Sequence, residues 1–128
     1  MDEKKAICLT CADGHIQLPV IHWIIGMHNV EYVDMITEPG IAEVLSDPDN
    51  PVEAIKQKIR HSLVPQDGAK LFIVGHADCD FHTAAPFEQK GHVRTATARM
   101  KKEFPDLEIH GLWFKSDNAV EILREDLS

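Results

Sequence analysis

Apolar positions along the chain keep two rhythms, one of strands and one of helices. Lys5 to Thr10 (KAICLT) is a short apolar run that reads as a buried strand. From Gln17 to Asn29, Val20, Ile21, Trp23, Ile24, Ile25 and Met27 occupy most sides of a helix, with Pro19 tolerated in its first turn. A well-buried helix is expected there. Glu31 to Thr37 alternates Tyr32, Asp34 and Ile36 against Val33 and Met35, the two-residue period of a strand. Glu38-Pro39-Gly40 is a turn signal, followed by a short helical piece from Ile41 to Leu45 and a loop from Ser46 to Pro51. Val52, Ile55, Ile59 and Leu63 then mark one face of an amphipathic helix, with Asn50 as its cap and Pro51 in first position. Lys70 to Gly75 (KLFIVG) is the strongest strand. After a loop from His76 to Pro86, a helix from Phe87 to Phe104 carries the core stripe Val93, Ala96, Thr97, Met100 and Phe104. Glu108 to Lys115 reads as a last strand, and Asn118 to Leu123 as a terminal helix.

Strands separated by helices predict an α/β fold: a mostly parallel sheet of four to five strands with helices on both faces. The 128 residues suit a single domain over 1–128, long enough for a core without staples. Charge adds an asymmetry. The net charge is −8, and between Ala6 and Ile55 there is no Lys or Arg, while eight acids fall in that stretch. Nucleic acid is therefore excluded as a main partner, since phosphate binding wants clustered cations. No apolar run approaches the length of a membrane span, and the N-terminus lacks the pattern of a signal peptide, so a soluble, cytoplasmic protein is expected.

In a parallel sheet of this kind, sites form beyond the carboxyl ends of the strands. The first strand runs into Cys11-Ala12-Asp13-Gly14-His15, and the third into His76-Ala77-Asp78-Cys79-Asp80. If these strands are neighbours, two thiols, one or two imidazoles and two or three carboxylates share one crevice. Two Cys and one His with an oxygen ligand are a natural tetrahedral zinc set that leaves room for water. Read singly, each of the three is as well explained by packing or capping. Their joint placement at two strand ends favours the metal.

These residues also carry a family resemblance. Cys11-Ala12-Asp13 and His76-Ala77-Asp78-Cys79 resemble the Cys-x-Asp-x-Arg and His-x-x-Cys zinc motifs of the β-class carbonic anhydrases. Ile36-Thr37-Glu38-Pro39-Gly40 stands where that family has its Asn-Ala-Gly turn, and Phe72-Ile73-Val74-Gly75 leads into the His. The resemblance spans about Ala6 to Phe114 and does not include the family's N-terminal helical extension. It implies a β-carbonic-anhydrase-like core, Zn2+ on Cys11, His76 and Cys79, and hydration of carbon dioxide to bicarbonate by a zinc-bound hydroxide. It implies a homodimer or higher homo-oligomer, because the family builds its pockets across dimer interfaces. Asp13 would be either the hydrogen-bond partner of the zinc water or the fourth ligand. The chain departs from the pattern at His15, where the family has the Arg that holds the Asp away from the metal. An imidazole is a weaker clamp than a guanidinium fork. His15 as a cation, or Arg94 from the long helix, are the candidates to replace it. Two thiolates donate more charge to zinc than three imidazoles, which makes a hydrogen bond to Asp13 matter more.

Two rivals follow from the same residues. One is a zinc enzyme acting on another small substrate, such as a sulfur analogue of carbon dioxide. The other is a non-catalytic binding or regulatory domain whose site Asp13 closes. Cys8-Leu9-Thr10-Cys11 has the spacing of a redox pair, but strand positions three apart face opposite sides, so Cys8 reads as core. His82 is a candidate proton shuttle, against the plainer reading of a solvated loop histidine. His22, His28, His61, His92 and His110 read as surface or packing residues, and Trp23, Trp113 and Phe114 as core or subunit interface.

Overall fold

The computed structural model describes residues 4–64, 69–79 and 85–123. They form one five-stranded sheet with four helices. In chain order the elements are β1 (Lys5–Thr10), α1 (Gly14–His28), β2 (Tyr32–Thr37), α2 (Ile41–Ser46), α3 (Glu53–Leu63), β3 (Lys70–His76), α4 (Pro86–Glu103), β4 (Ile109–Phe114) and β5 (Val120–Leu123). The strand order is β2-β1-β3-β4-β5. The first four strands are parallel and β5 is antiparallel to β4. This is the expected α/β class with a mostly parallel sheet.

Alternate residues of each strand feed two cores. Ile7, Leu9, Leu71, Ile73 and Trp113 face α2, α3 and α4. Ala6, Cys8, Phe72, Val74, Leu112 and Phe114 face α1. Parallel strands covered on both faces read as unbroken apolar runs, which is why KAICLT and KLFIVG are legible as buried strands. Cys8 lies in the α1-side core, where burial pushes its thiol well above the ordinary value, so it is an inert core residue.

Two expectations need correction. Asn118 to Leu123 is not a terminal helix. Asn118 takes a left-handed conformation (φ 66°), its amide donates to the Lys115 carbonyl, and the Lys115 amide donates to the Ala119 carbonyl. This is a tight hairpin turn, and it folds Val120–Leu123 back onto β4. Nor is α1 buried on most sides. Only Ile16, Val20 and Ile24 are buried, while Leu18 and Met27 are 60% and 65% exposed. One helix on one sheet face can bury only one stripe. A smaller correction concerns α3, which Val52 caps without a side-chain hydrogen bond.

The sheet is tied to its neighbours at a few points. Gly75 and Gly111 let α4 lie directly on β3 and β4: a Cβ at Gly75 would come within 2.7 Å of Val93, and one at Gly111 within 2.7 Å of Thr97. On the same face, toward the other edge of the sheet, Lys5 Nζ lies 2.9 Å from Asp34 Oδ2, and Ser62 Oγ donates to the same carboxylate. Partial burial pushes the Asp34 carboxyl up, but the Ser62 hydroxyl and the Lys5 ammonium outweigh it and hold the pKa below the ordinary aspartate value.

Two outcomes are expected. Gly75→Ala should overpack the α4–β3 contact and lower the unfolding free energy by about 1–3 kcal/mol, read from the urea midpoint. An unchanged midpoint contradicts that close approach. Asp34 binds its proton more readily in the unfolded chain, so its contribution is complete above about pH 4 and lost as pH falls through the depressed native value. Asp34→Asn should therefore weaken the protein at neutral pH and flatten the acid limb of a stability–pH curve.

Candidate metal centre

The path of the chain brings the two motifs together. From β1 it passes outward through α1 to β2, then returns past β1 to β3, so β1 and β3 are in-register neighbours, Ala6 opposite Lys70 and Leu9 opposite Ile73. The crevice between diverging connections opens at the carboxyl ends of these two strands. Cys11 follows the end of β1, His76 is the last residue of β3, and Cys79 lies three residues beyond.

Cys11 Sγ and Cys79 Sγ are 3.3 Å apart. One ligand atom from each of Cys11, His76 and Cys79 lies within 4.8 Å of the other two. His76 is buried, and its Nδ1 donates to the Ala77 carbonyl oxygen at 2.9 Å. A carbonyl oxygen only accepts, so the proton of a neutral ring sits on Nδ1 and Nε2 carries the lone pair. That Nε2 is buried and has no hydrogen-bond partner among the described residues. Such an orientation of the ligating nitrogen by a backbone carbonyl is the usual support for a metal-binding histidine. A void of about 10 Å3 is bounded by Cys11, His76, Cys79, Gly40 and Ile41. Gly40, in a left-handed conformation (φ 58°), turns the chain into α2 beside it.

Two sulfurs this close must share a proton or a cation, because two bare thiolates would repel. The donor set, the orphaned nitrogen and the void together suit one ion that accepts two sulfurs and one nitrogen.

Asp13 stands beside this trio. It is 7% exposed and is the N-cap of α1, its Oδ1 accepting from the His15 amide at 3.0 Å and contacting His15 Nδ1 at 2.9 Å. The His15 amide does most to hold the Asp13 pKa down, against a smaller rise from burial. The His15 and His76 rings help. The His15 side chain is 93% exposed, so its ring is the solvated part of the clamp. Arg94 does not reach Asp13: its Nε is buried without a partner among the described residues, and it is absent from the groups that act on the carboxylate. Asp80, Phe81 and His82 lie outside the described residues. An open pocket of about 300 Å3 faces Asp13, His15 and His76, with Lys115, Ser116 and Asn118 on its far wall. Lys115 was not anticipated, because only the β4–β5 hairpin carries it to the mouth.

The fold and the trio define a class: a parallel α/β protein with a sulfur–nitrogen metal-type cluster at the switch point of its sheet. Residues 1–124 match the family described as "Putative carbonic anhydrase", and the chain belongs to that family. Among solved structures, it is similar to the β-carbonic anhydrase CcaA, with a TM-score of 0.57, 12% identity, and coverage of 94% of this chain and 80% of that one. At that identity the likeness is one of fold. No curated protein matches.

The cap and the carboxylate can be separated. Asp13→Ala removes an N-cap and should cost about 1 kcal/mol of stability, whereas Asp13→Asn keeps the cap and should stay within a few tenths of wild type. Equal loss in both, by thermal or urea unfolding, would show that the cap is not what the side chain contributes to the fold.

Proposed function

We propose that the chain is a zinc-dependent carbonic anhydrase, converting carbon dioxide and water to bicarbonate and a proton, with Cys11, His76 and Cys79 holding the ion. The observation that carries this is the buried, unpartnered His76 Nε2 clustered with two sulfurs that themselves stand 3.3 Å apart. When bound, zinc would supply Lewis acidity that brings the ionisation of a water into the neutral range.

The chain's own residues supply the rest. Asp13 stays ionised, and with Oδ1 committed to His15, its Oδ2 has no hydrogen-bond partner among the described residues. That oxygen is available to accept a hydrogen bond from a water and so aim a lone pair at the substrate carbon. The hold of His15 on Oδ1 keeps Asp13 an acceptor in this reading rather than a fourth ligand. His15, mostly in solvent, is placed to pass the released proton outward. Lys115 at the pocket mouth supplies the positive charge that draws bicarbonate.

Three cysteines outside any disulfide fit a reducing compartment, and no helix of the described residues is long and apolar enough to cross a membrane. We place the protein in the cytoplasm on the first ground. The unburied apolar side chains of α1, Leu18 and Met27, support a homodimer.

One observation favours a second reading, a zinc protein with slow or different chemistry. The ring that replaces the family's Arg is 93% exposed, so its pull on Asp13 is screened.

Metal analysis and stopped-flow hydration decide between them. Purified protein should carry about one zinc per chain through Cys11, His76 and Cys79, and Cys11→Ser should lose it. Asp13→Asn should keep the zinc and lose about 100-fold or more in hydration rate, the usual loss on removing a positioned acid–base group. His15→Arg should raise the rate. Zinc without hydration in both wild type and His15→Arg selects the second reading. Absence of zinc ends both.

A further inference from the structure

At the opposite, amino-terminal end of the sheet a second group of ligand-type side chains converges. His28 is the last residue of α1, Glu108 immediately precedes β4, and His110 lies within β4. One ligating atom from each lies within 4.8 Å of the others. Glu108 Oε2 is 2.6 Å from His110 Nε2, and the two imidazole centroids are 5.3 Å apart. These rings are not loose surface groups. Fully buried Phe72 stacks on His110 at 5.3 Å and meets His28 edge-on at 4.7 Å.

A cation already stands against the group: Lys70 Nζ lies 3.3 Å from His28 Nδ1 and 3.5 Å from Glu108 Oε2. Lys70 shows that the cluster attracts positive charge, and it is also what an ion must displace. A cavity of about 510 Å3 lined by His28 and His110 gives access from solvent.

We propose that His28, Glu108 and His110 form a second metal centre, for a divalent ion that takes imidazole and carboxylate ligands, with Lys70 as the competing cation. Two nitrogens and an oxygen suit Zn2+, Co2+ or Ni2+, and the set lacks the sulfur that characterises the Cys11 centre. The proposal is independent of the carbonic anhydrase reading.

Metal-free full-length protein titrated with Co2+ tests it, by equilibrium dialysis together with absorption spectroscopy. Sulfur-bound Co2+ has strong near-ultraviolet charge-transfer absorption, and a nitrogen–oxygen site has none. A second equivalent of Co2+ should bind without adding to that absorption. The Cys11→Ser, Cys79→Ser double variant should keep this equivalent. Exposed Glu108 can be changed to Gln without threatening the fold, and E108Q should weaken the second equivalent about tenfold or more. Lys70→Gln should tighten it, which a purely structural ion-pair network would not do. Absence, in wild type and in the double variant, of any Co2+ equivalent free of that absorption, or such an equivalent indifferent to both E108Q and K70Q, overturns the proposal.

Discussion

The parallel pairing of β1 with β3 is the constraint on which the candidate centre depends. Cys11 and His76 are 65 positions apart in sequence, and only this pairing makes them neighbours. Its register is strongly specified because both strands are buried on both faces. A slip of one residue would turn Ile7 and Leu9 toward α1 and drive Cys8 into the α4 side. The seating of α4 on Gly75 reinforces the pairing where it matters, one residue before His76. The same packing that fills the core therefore fixes the depth at which the imidazole emerges.

Most of the architecture was readable from residue patterns because it rests on local rules. The buried strands show as apolar runs, and α3 shows as a stripe of Ile55 and Ile59 against charge. Cys11, Asp13, His76 and Cys79 were readable because each sits next to a strand end, so predicting the strands predicted the cluster. The antiparallel β5 was not. Its four residues are too few for periodicity to separate strand from helix, and the turn that reverses the chain depends on the left-handed backbone of Asn118. The grouping of His28 with Glu108 and His110 was hidden for another reason. Only Glu108 and His110 share a local spacing. The third member arrives through the packing of the end of α1 over Phe72, which no short-range pattern reports.

The base-free stretch from Ala6 to Ile55 acquires a structural meaning in the fold. Three of its eight acids are met by cations from outside it: Lys5 on Asp34, Lys58 on Glu38, and Lys56 and Arg60 on Glu53. Arg99 of α4 also reaches back to the carbonyls of Leu45, Asp47 and Asn50. The segment is thus bound to the rest of the chain by charge as well as by core packing. Exposed pairs of this kind contribute little individually. The half-buried Lys5–Asp34 pair, with Ser62 as a further donor, holds β1, β2 and α3 in one arrangement.

Among the described residues no Lys or Arg pairs with Asp13. What holds it is mainly the first turn of α1. The backbone amide of His15 is the largest influence on the carboxylate, ahead of any imidazole charge. A backbone donor is present whatever side chain occupies position 15, is fixed by the helix itself, and is shielded from the solvent that screens the exposed ring. The exchange of a guanidinium for an imidazole therefore removes a charge from the carboxylate without removing its anchor. The orientation of Asp13 follows from its place as a helix cap, directly after a strand whose end is set by β1–β3 pairing. Position and charge are supplied separately here, the first by the fold and the second only in part by His15 and His76. It is the charge, rather than the geometry, that distinguishes this centre from one clamped by arginine.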